Sequence, residues 1–168
     1  MIQLKKIGHV LLRVADLERS KAFYHDVLGF QISEEDPKHG RDVFMTLGGD
    51  FHMLDLVQHE QPETTERPSR TQIGLGHLAF QVDSYEALRE AYATLQKHGV
   101  TIERAIDHVS QRSLYFADPD GNRLEIYYEM PGALERFAND GRGDQDEPMT
   151  VTTAGEPLPA WLSERWPA

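Results

Sequence analysis

The chain has 168 residues, with 28 Asp and Glu against 17 Lys and Arg, a formal net charge of −11. That length suits one domain or two small modules, and the acidity argues against nucleic acid and anionic membrane as partners, since both select clustered Lys and Arg. No cysteine is present, which removes thiolate metal sites, cysteine nucleophiles and disulfides from consideration.

From the first residue the chain runs directly into a strand pattern, and no apolar run approaches the ~18 residues of a membrane span, so a soluble cytoplasmic protein is expected. Ile7 to Val14 alternates as a strand, and Asp16 then caps a helix predicted to run to about Leu28 and stop at Gly29. Glu34-Glu35-Asp36 reads as solvated loop charge. Val43 to Leu47 and Phe51 to Gln58 read as strands around Gly48-Gly49.

Leu75 to Val82 repeats the first strand. Asp83-Ser84 precedes a helix predicted from Tyr85 to Lys97, with Gly99 after it. Ser113 to Tyr128 alternates on both sides of Asp118-Pro119-Asp120-Gly121-Asn122, the signature of two strands joined by a tight turn. Beyond Pro131 the pattern lapses. Residues 141–155 look irregular, and Leu158 to Trp166 reads as a short docking helix or a dimer contact, with Trp161 and Trp166 as apolar surface.

His9 to His77 spans 68 positions and Asp55 to Glu125 spans 70, so the chain carries an internal duplication of a strand-helix-strand-strand-strand unit. The expected fold is α+β, two paired βαβββ modules enclosing a metal cavity. Residues 1–62 form the first module, 63–71 a linker, 72–130 the second module and 131–168 a C-terminal extension.

Strand parity sorts the candidate functional residues. His9 shares a face with Leu11 and Arg13, while Val10, Leu12 and Val14 make the apolar face. His77 goes with Ala79 and Gln81, Glu125 with Arg123 and Tyr127, and Tyr115 with Ser113 and Ala117. All four therefore lie on the less apolar side of their strands. Two imidazoles and one carboxylate make a facial set that suits iron(II), manganese or zinc and leaves coordination positions open. His25, His39, His59 and His98 fall on helix, loop or linker and read as surface residues. Met45, Leu11, Ala79, Phe44 and Tyr127 are expected to line the cavity.

The Gly-His strands, the Tyr-Phe-x-Asp-Pro-Asp-Gly-Asn-x-x-Glu hairpin and the two-module repeat resemble the vicinal oxygen chelate superfamily over about residues 5 to 130. The resemblance implies His9, His77 and Glu125 as metal ligands. Within that group the chain is most similar to single-module-pair extradiol dioxygenases, which implies iron(II), with Mn(II), Ni(II) or Zn(II) as alternatives. It also implies His52 as acid-base and His108 and Tyr115 as hydrogen-bonding residues beside the substrate. The implied partners are a catechol-like aromatic diol and dioxygen, in a homodimer or larger homo-oligomer. Glyoxalase-type members carry a fourth ligand where this chain has Asp55, so a metal-dependent isomerase or epimerase is the alternative activity. A binding protein of the antibiotic-resistance type is a third.

Overall fold

The computed structural model describes residues 1–36, 38, 40–133, 135 and 145–167. His39 and residues 141–144 of the stretch expected to be irregular lie outside them. The chain divides into two compact units, Met1–Pro68 and Ser69–Ala168.

The first unit begins with β1 (Val10–Val14), whose alternation buries Leu12 and Val14 and leaves Leu11 and Arg13 exposed. Asp16 caps α1 (Leu17–Ala22) by accepting from the Arg19 amide at 3.0 Å. The helix continues as a π-helical turn, Phe23–Val27, and ends at Gly29, whose φ of 78° suits glycine. Gln58 locks the turn from β1 into α1, since its Oε1 accepts from the Leu17 amide at 2.7 Å and its Nε2 donates to the Ala15 carbonyl.

Strands β2 (Gln31–Glu35), β3 (Asp42–Thr46) and β4 (Leu54–Gln58) complete the sheet in the order β1-β4-β3-β2. β1 and β4 are parallel and the other pairs antiparallel. Val14, Tyr24, Phe30, Val43, Met45, Leu54 and Leu56 form the core.

Three expectations are corrected in this unit. Glu34 and Glu35 belong to a strand rather than a loop; β2 is a largely exposed edge, so it needs no apolar alternation. The strand expected from Phe51 starts at Leu54. Met45 is fully buried with Val43 on the core face and therefore lines no cavity.

The second unit repeats the plan with β5 (Leu78–Val82), α2 (Tyr85–Lys97), β6 (Arg104–Asp107), β7 (Gln111–Ala117) and β8 (Arg123–Glu129). Ser84 caps α2 by accepting from the Ala87 amide at 3.1 Å, and Leu88, Tyr92 and Leu95 turn the helix's apolar face inward. Asp118 builds the hairpin turn, its carboxylate accepting from the amides of Asp120 and Asn122 and from the Asn122 side chain.

The C-terminal extension packs on its own unit. Glu147–Met149, within the stretch expected to be irregular, forms β9 and joins the sheet edge, giving the order β5-β8-β7-β6-β9. A 3-10 turn at Ala160–Ser163 buries Trp161 and Leu162, with the Trp161 indole N–H donating to the Thr150 carbonyl at 2.7 Å. Trp161 is thus core rather than free apolar surface, because a wide ring with a satisfied N–H gains more by burial than by exposure. Beneath it Arg112 is buried. Its guanidinium donates to the Tyr85 hydroxyl at 2.8 Å, pairs with Glu164 at 3.0 Å and lies 3.8 Å from the Trp166 ring centre.

Among the described residues no helix is long and apolar enough to cross a membrane.

Candidate metal centre and its surroundings

In the first unit the parallel pairing of β1 with β4 sets Leu11 against Asp55. His9, two residues before Leu11, follows the same face and brings its Nε2 to 3.5 Å from Asp55 Oδ2. Asp55 is only 3% exposed. A buried carboxylate needs compensation, and a second imidazole supplies it, with His52 Nδ1 2.6 Å from Asp55 Oδ1. The His9 and His52 rings stack at 4.4 Å, and the Phe44 ring meets His52 edge-on at 5.2 Å. His9, His52 and Asp55 offer ligand atoms that all lie within 4.8 Å of one another, and this set could hold a metal ion.

A continuous strand from Phe51 would have turned His52 and Asp55 to opposite faces. Because β4 starts only at Leu54, His52 lies in the preceding loop and folds back onto Asp55.

The second unit repeats the arrangement at the matching register. β5 and β8 are parallel, with Ala79 against Glu125, and His77, two residues before Ala79, has its Nε2 2.9 Å from Glu125 Oε2. Glu125 is 4% exposed. Among the described residues neither Asp55 nor Glu125 is paired with a Lys or Arg; imidazoles meet both. Buried carboxylate oxygens facing imidazole nitrogens are a donor set that suits a divalent ion, so the residues fit a metal.

Around Glu125 the two units part company. Tyr115 stands directly opposite it across the β7–β8 ladder, the place held by Phe44 opposite Asp55. Tyr115 is buried, with Arg104 stacked 4.2 Å over its ring and the His77 ring edge-on at 5.8 Å. Burial, and then the Glu125 carboxylate, push the phenol up to about 12, against weaker opposing effects of Ser113 and Arg104. Its hydroxyl lies 2.9 Å from His108 Nε2, and His108 Nδ1 lies 2.8 Å from Asp146 Oδ1. His108 is buried. Next to it Val109 has φ 71°, with the Ser110 amide donating to the His108 carbonyl at 2.8 Å. That is a tight γ-turn around a β-branched residue, a strained conformation.

Of the remaining histidines, His25 and His98 are exposed, whereas His59 is half-buried and accepts from the Gln61 amide. Gln111, whose Nε2 is 3.4 Å from Glu125 Oε1, was detectable by parity because it shares a face with Ser113 and Tyr115. Asp146 carries no local signal, since its partner is 38 residues away.

Residues 6–126 match the Glyoxalase/Bleomycin resistance protein/Dioxygenase superfamily, and the chain belongs to that superfamily. It is similar to the uncharacterized protein YaeR of Escherichia coli, 38% identical over 76% of this chain and 98% of that one. It is also similar to a catechol-2,3-dioxygenase of Bacillus subtilis, 36% identical over 74% of this chain but only 42% of the relative, less than half its length. Among solved structures, a glyoxylase/bleomycin resistance protein/dioxygenase domain from Frankia sp. EAN1pec superposes with a TM-score of 0.68 at 25% identity, covering 80% of this chain and 98% of that one.

Proposed function

We propose that this protein is an iron(II)-dependent extradiol dioxygenase acting on a catechol-like diol, with His9, His77 and Glu125 as metal ligands. The observation that carries the reading is Tyr115, buried opposite Glu125 with its hydroxyl at 2.9 Å from His108. An isomerase that moves one proton between carbons has no use for this pair, whereas a chelating diol needs its oxygens oriented beside the ligand carboxylate. The similarity to a catechol-2,3-dioxygenase supports the same reading.

Bound iron(II) supplies the open coordination sites and the redox chemistry that ring cleavage by dioxygen requires. The protein's own residues supply proton handling and orientation. His52, with Nδ1 held on Asp55 at 2.6 Å, keeps Nε2 available to take a proton from a substrate hydroxyl. Tyr115, held by His108 at 2.9 Å, orients a substrate oxygen.

One observation favours a second reading. Asp55 occupies in the first sheet the register position of Glu125 in the second, so His9, Asp55, His77 and Glu125 could serve as four ligands for an isomerase. The test is metal analysis of protein purified without air or chelator, followed by oxygen uptake on adding a panel of catechols. Iron near one per chain with catechol-dependent uptake and a yellow ring-opened product is the expected result. Nickel or zinc with no oxygen uptake, and turnover under anaerobic conditions, would establish the isomerase instead.

A further inference from the structure

The C-terminal extension lies outside residues 6–126, which match the superfamily, yet one of its carboxylates, Asp146, itself 40% exposed, reaches the buried His108 of the second unit. β9 pairs antiparallel with β6, setting Glu147 against Asp107 and Pro148 against Ile106. One step further along that register, Asp146 comes opposite His108. The carboxylate lands 2.8 Å from Nδ1, while Nε2 on the far side of the ring faces the Tyr115 hydroxyl at 2.9 Å. The His108 amide donates to the Gln111 carbonyl at 2.8 Å, and the strained turn at Val109 follows immediately, so the ring's direction is held from its backbone as well.

We infer that Asp146 is a positioning residue that fixes the tautomer of His108 and, through it, the direction of the Tyr115 hydroxyl proton. An ionised carboxylate only accepts, so a neutral His108 must carry its proton on Nδ1 and present a bare Nε2. Tyr115 then donates to Nε2. Its proton is thereby directed to His108 rather than to Glu125, and its own oxygen is left as an acceptor for a substrate hydroxyl. With the opposite tautomer His108 would donate to Tyr115, and the phenol proton would turn toward Glu125. The extension thereby sets which hydrogen-bonding pattern the site offers. For its catalytic consequence the inference rests on the dioxygenase reading; for the tautomer it does not.

The test uses the full chain loaded with diamagnetic zinc, with the ring nitrogens of His108 observed by 15N NMR and assigned by their loss in His108→Gln. In the parent protein the proton is expected on Nδ1. Asp146→Asn can donate to Nδ1 and should move the proton to Nε2, while Asp146→Glu should restore the parent pattern. With iron and a catechol, kcat of Asp146→Asn should fall on the order of ten- to a hundredfold with KM little changed, and Asp146→Glu should recover most of it. An unchanged tautomer in Asp146→Asn, or an inverted one with full kcat, overturns the inference. If the parent protein consumes no oxygen with any catechol, the dioxygenase reading fails, and the ring-nitrogen spectra still decide the role of Asp146.

Discussion

Arg41 and Arg112 occupy the same position in two copies of one unit, each three residues before the aromatic residue that faces a buried carboxylate across its hairpin. Arg41 is exposed. Arg112 is 6% exposed, held by Asp107, Tyr85, Glu164 and the Trp166 ring. The difference comes from what is laid over the repeat: the extension that supplies Glu164 and Trp166 packs on the second unit. Duplication thus sets backbone register and the place of His9, Asp55, His77 and Glu125, while residues outside the repeat decide whether a given position becomes surface, core or part of the site.

The largest contrast should appear between the two carboxylates. Glu125→Ala is expected to lose bound iron and all turnover, whereas Asp55→Asn should keep iron and lower kcat by on the order of 100-fold, because His52 loses its orienting partner. Metal analysis beside steady-state rates checks this, and loss of iron in Asp55→Asn would favour the four-ligand isomerase. His52→Phe should likewise spare iron and cut kcat by on the order of 100-fold; a variant with full kcat would remove His52 from the mechanism.

Stability should separate the arginines. Arg112→Ala removes a buried guanidinium that packs on the Trp166 ring and bonds the buried Tyr85 hydroxyl, and should cost about 3 kcal/mol in urea unfolding, against about 0.5 kcal/mol or less for Arg41→Ala. Equal effects would mean that the extension adds no buried network. A smaller effect is expected at Val109, the only non-glycine with positive φ among the described residues. Val109→Gly should raise stability by about 1 kcal/mol while lowering kcat, since relieving the turn loosens His108. Smallest is the surface pair of the first unit. The Lys6 ammonium, first by its hydrogen bonds and then by its charge, holds Asp50 below the ordinary carboxylate value. A depressed folded-state value stabilises above the unfolded one and is lost as pH falls through it. Asp50→Asn should therefore matter only above about pH 4 and, at a solvated pair, leave the thermal midpoint almost unchanged in moderate salt.

Much of this was legible in the sequence, for physical reasons. α2 could be bounded at both ends because Ser84 caps it and Gly99 follows it. The β7–β8 hairpin was legible because alternation survives on both sides of an Asx-built turn, and His77 and Glu125 followed by parity. β2, β6 and β9 escaped detection, since short or half-exposed strands need no apolar alternation. Strand parity would set His52 and Asp55 on opposite faces, yet the two meet, because where a strand begins depends on partners distant in sequence. Asp146 and the burial of Arg112 arise from tertiary contacts alone, across 38 and 52 residues.

Two of the four edge strands, β2 and β9, have a consequence for self-association. β2 carries Glu34 and Glu35 and a bulge between Ile32 and Glu34. β9 is three residues long and contains Glu147 and Pro148, which has no amide proton to offer. Charge, irregular register and proline are the devices that stop a foreign strand from zipping onto a sheet margin. Without β9, β6 would present its own margin to solvent, so shortening the chain before residue 147 should trade a guarded border for an adhesive one, with aggregation rather than simple unfolding as the outcome.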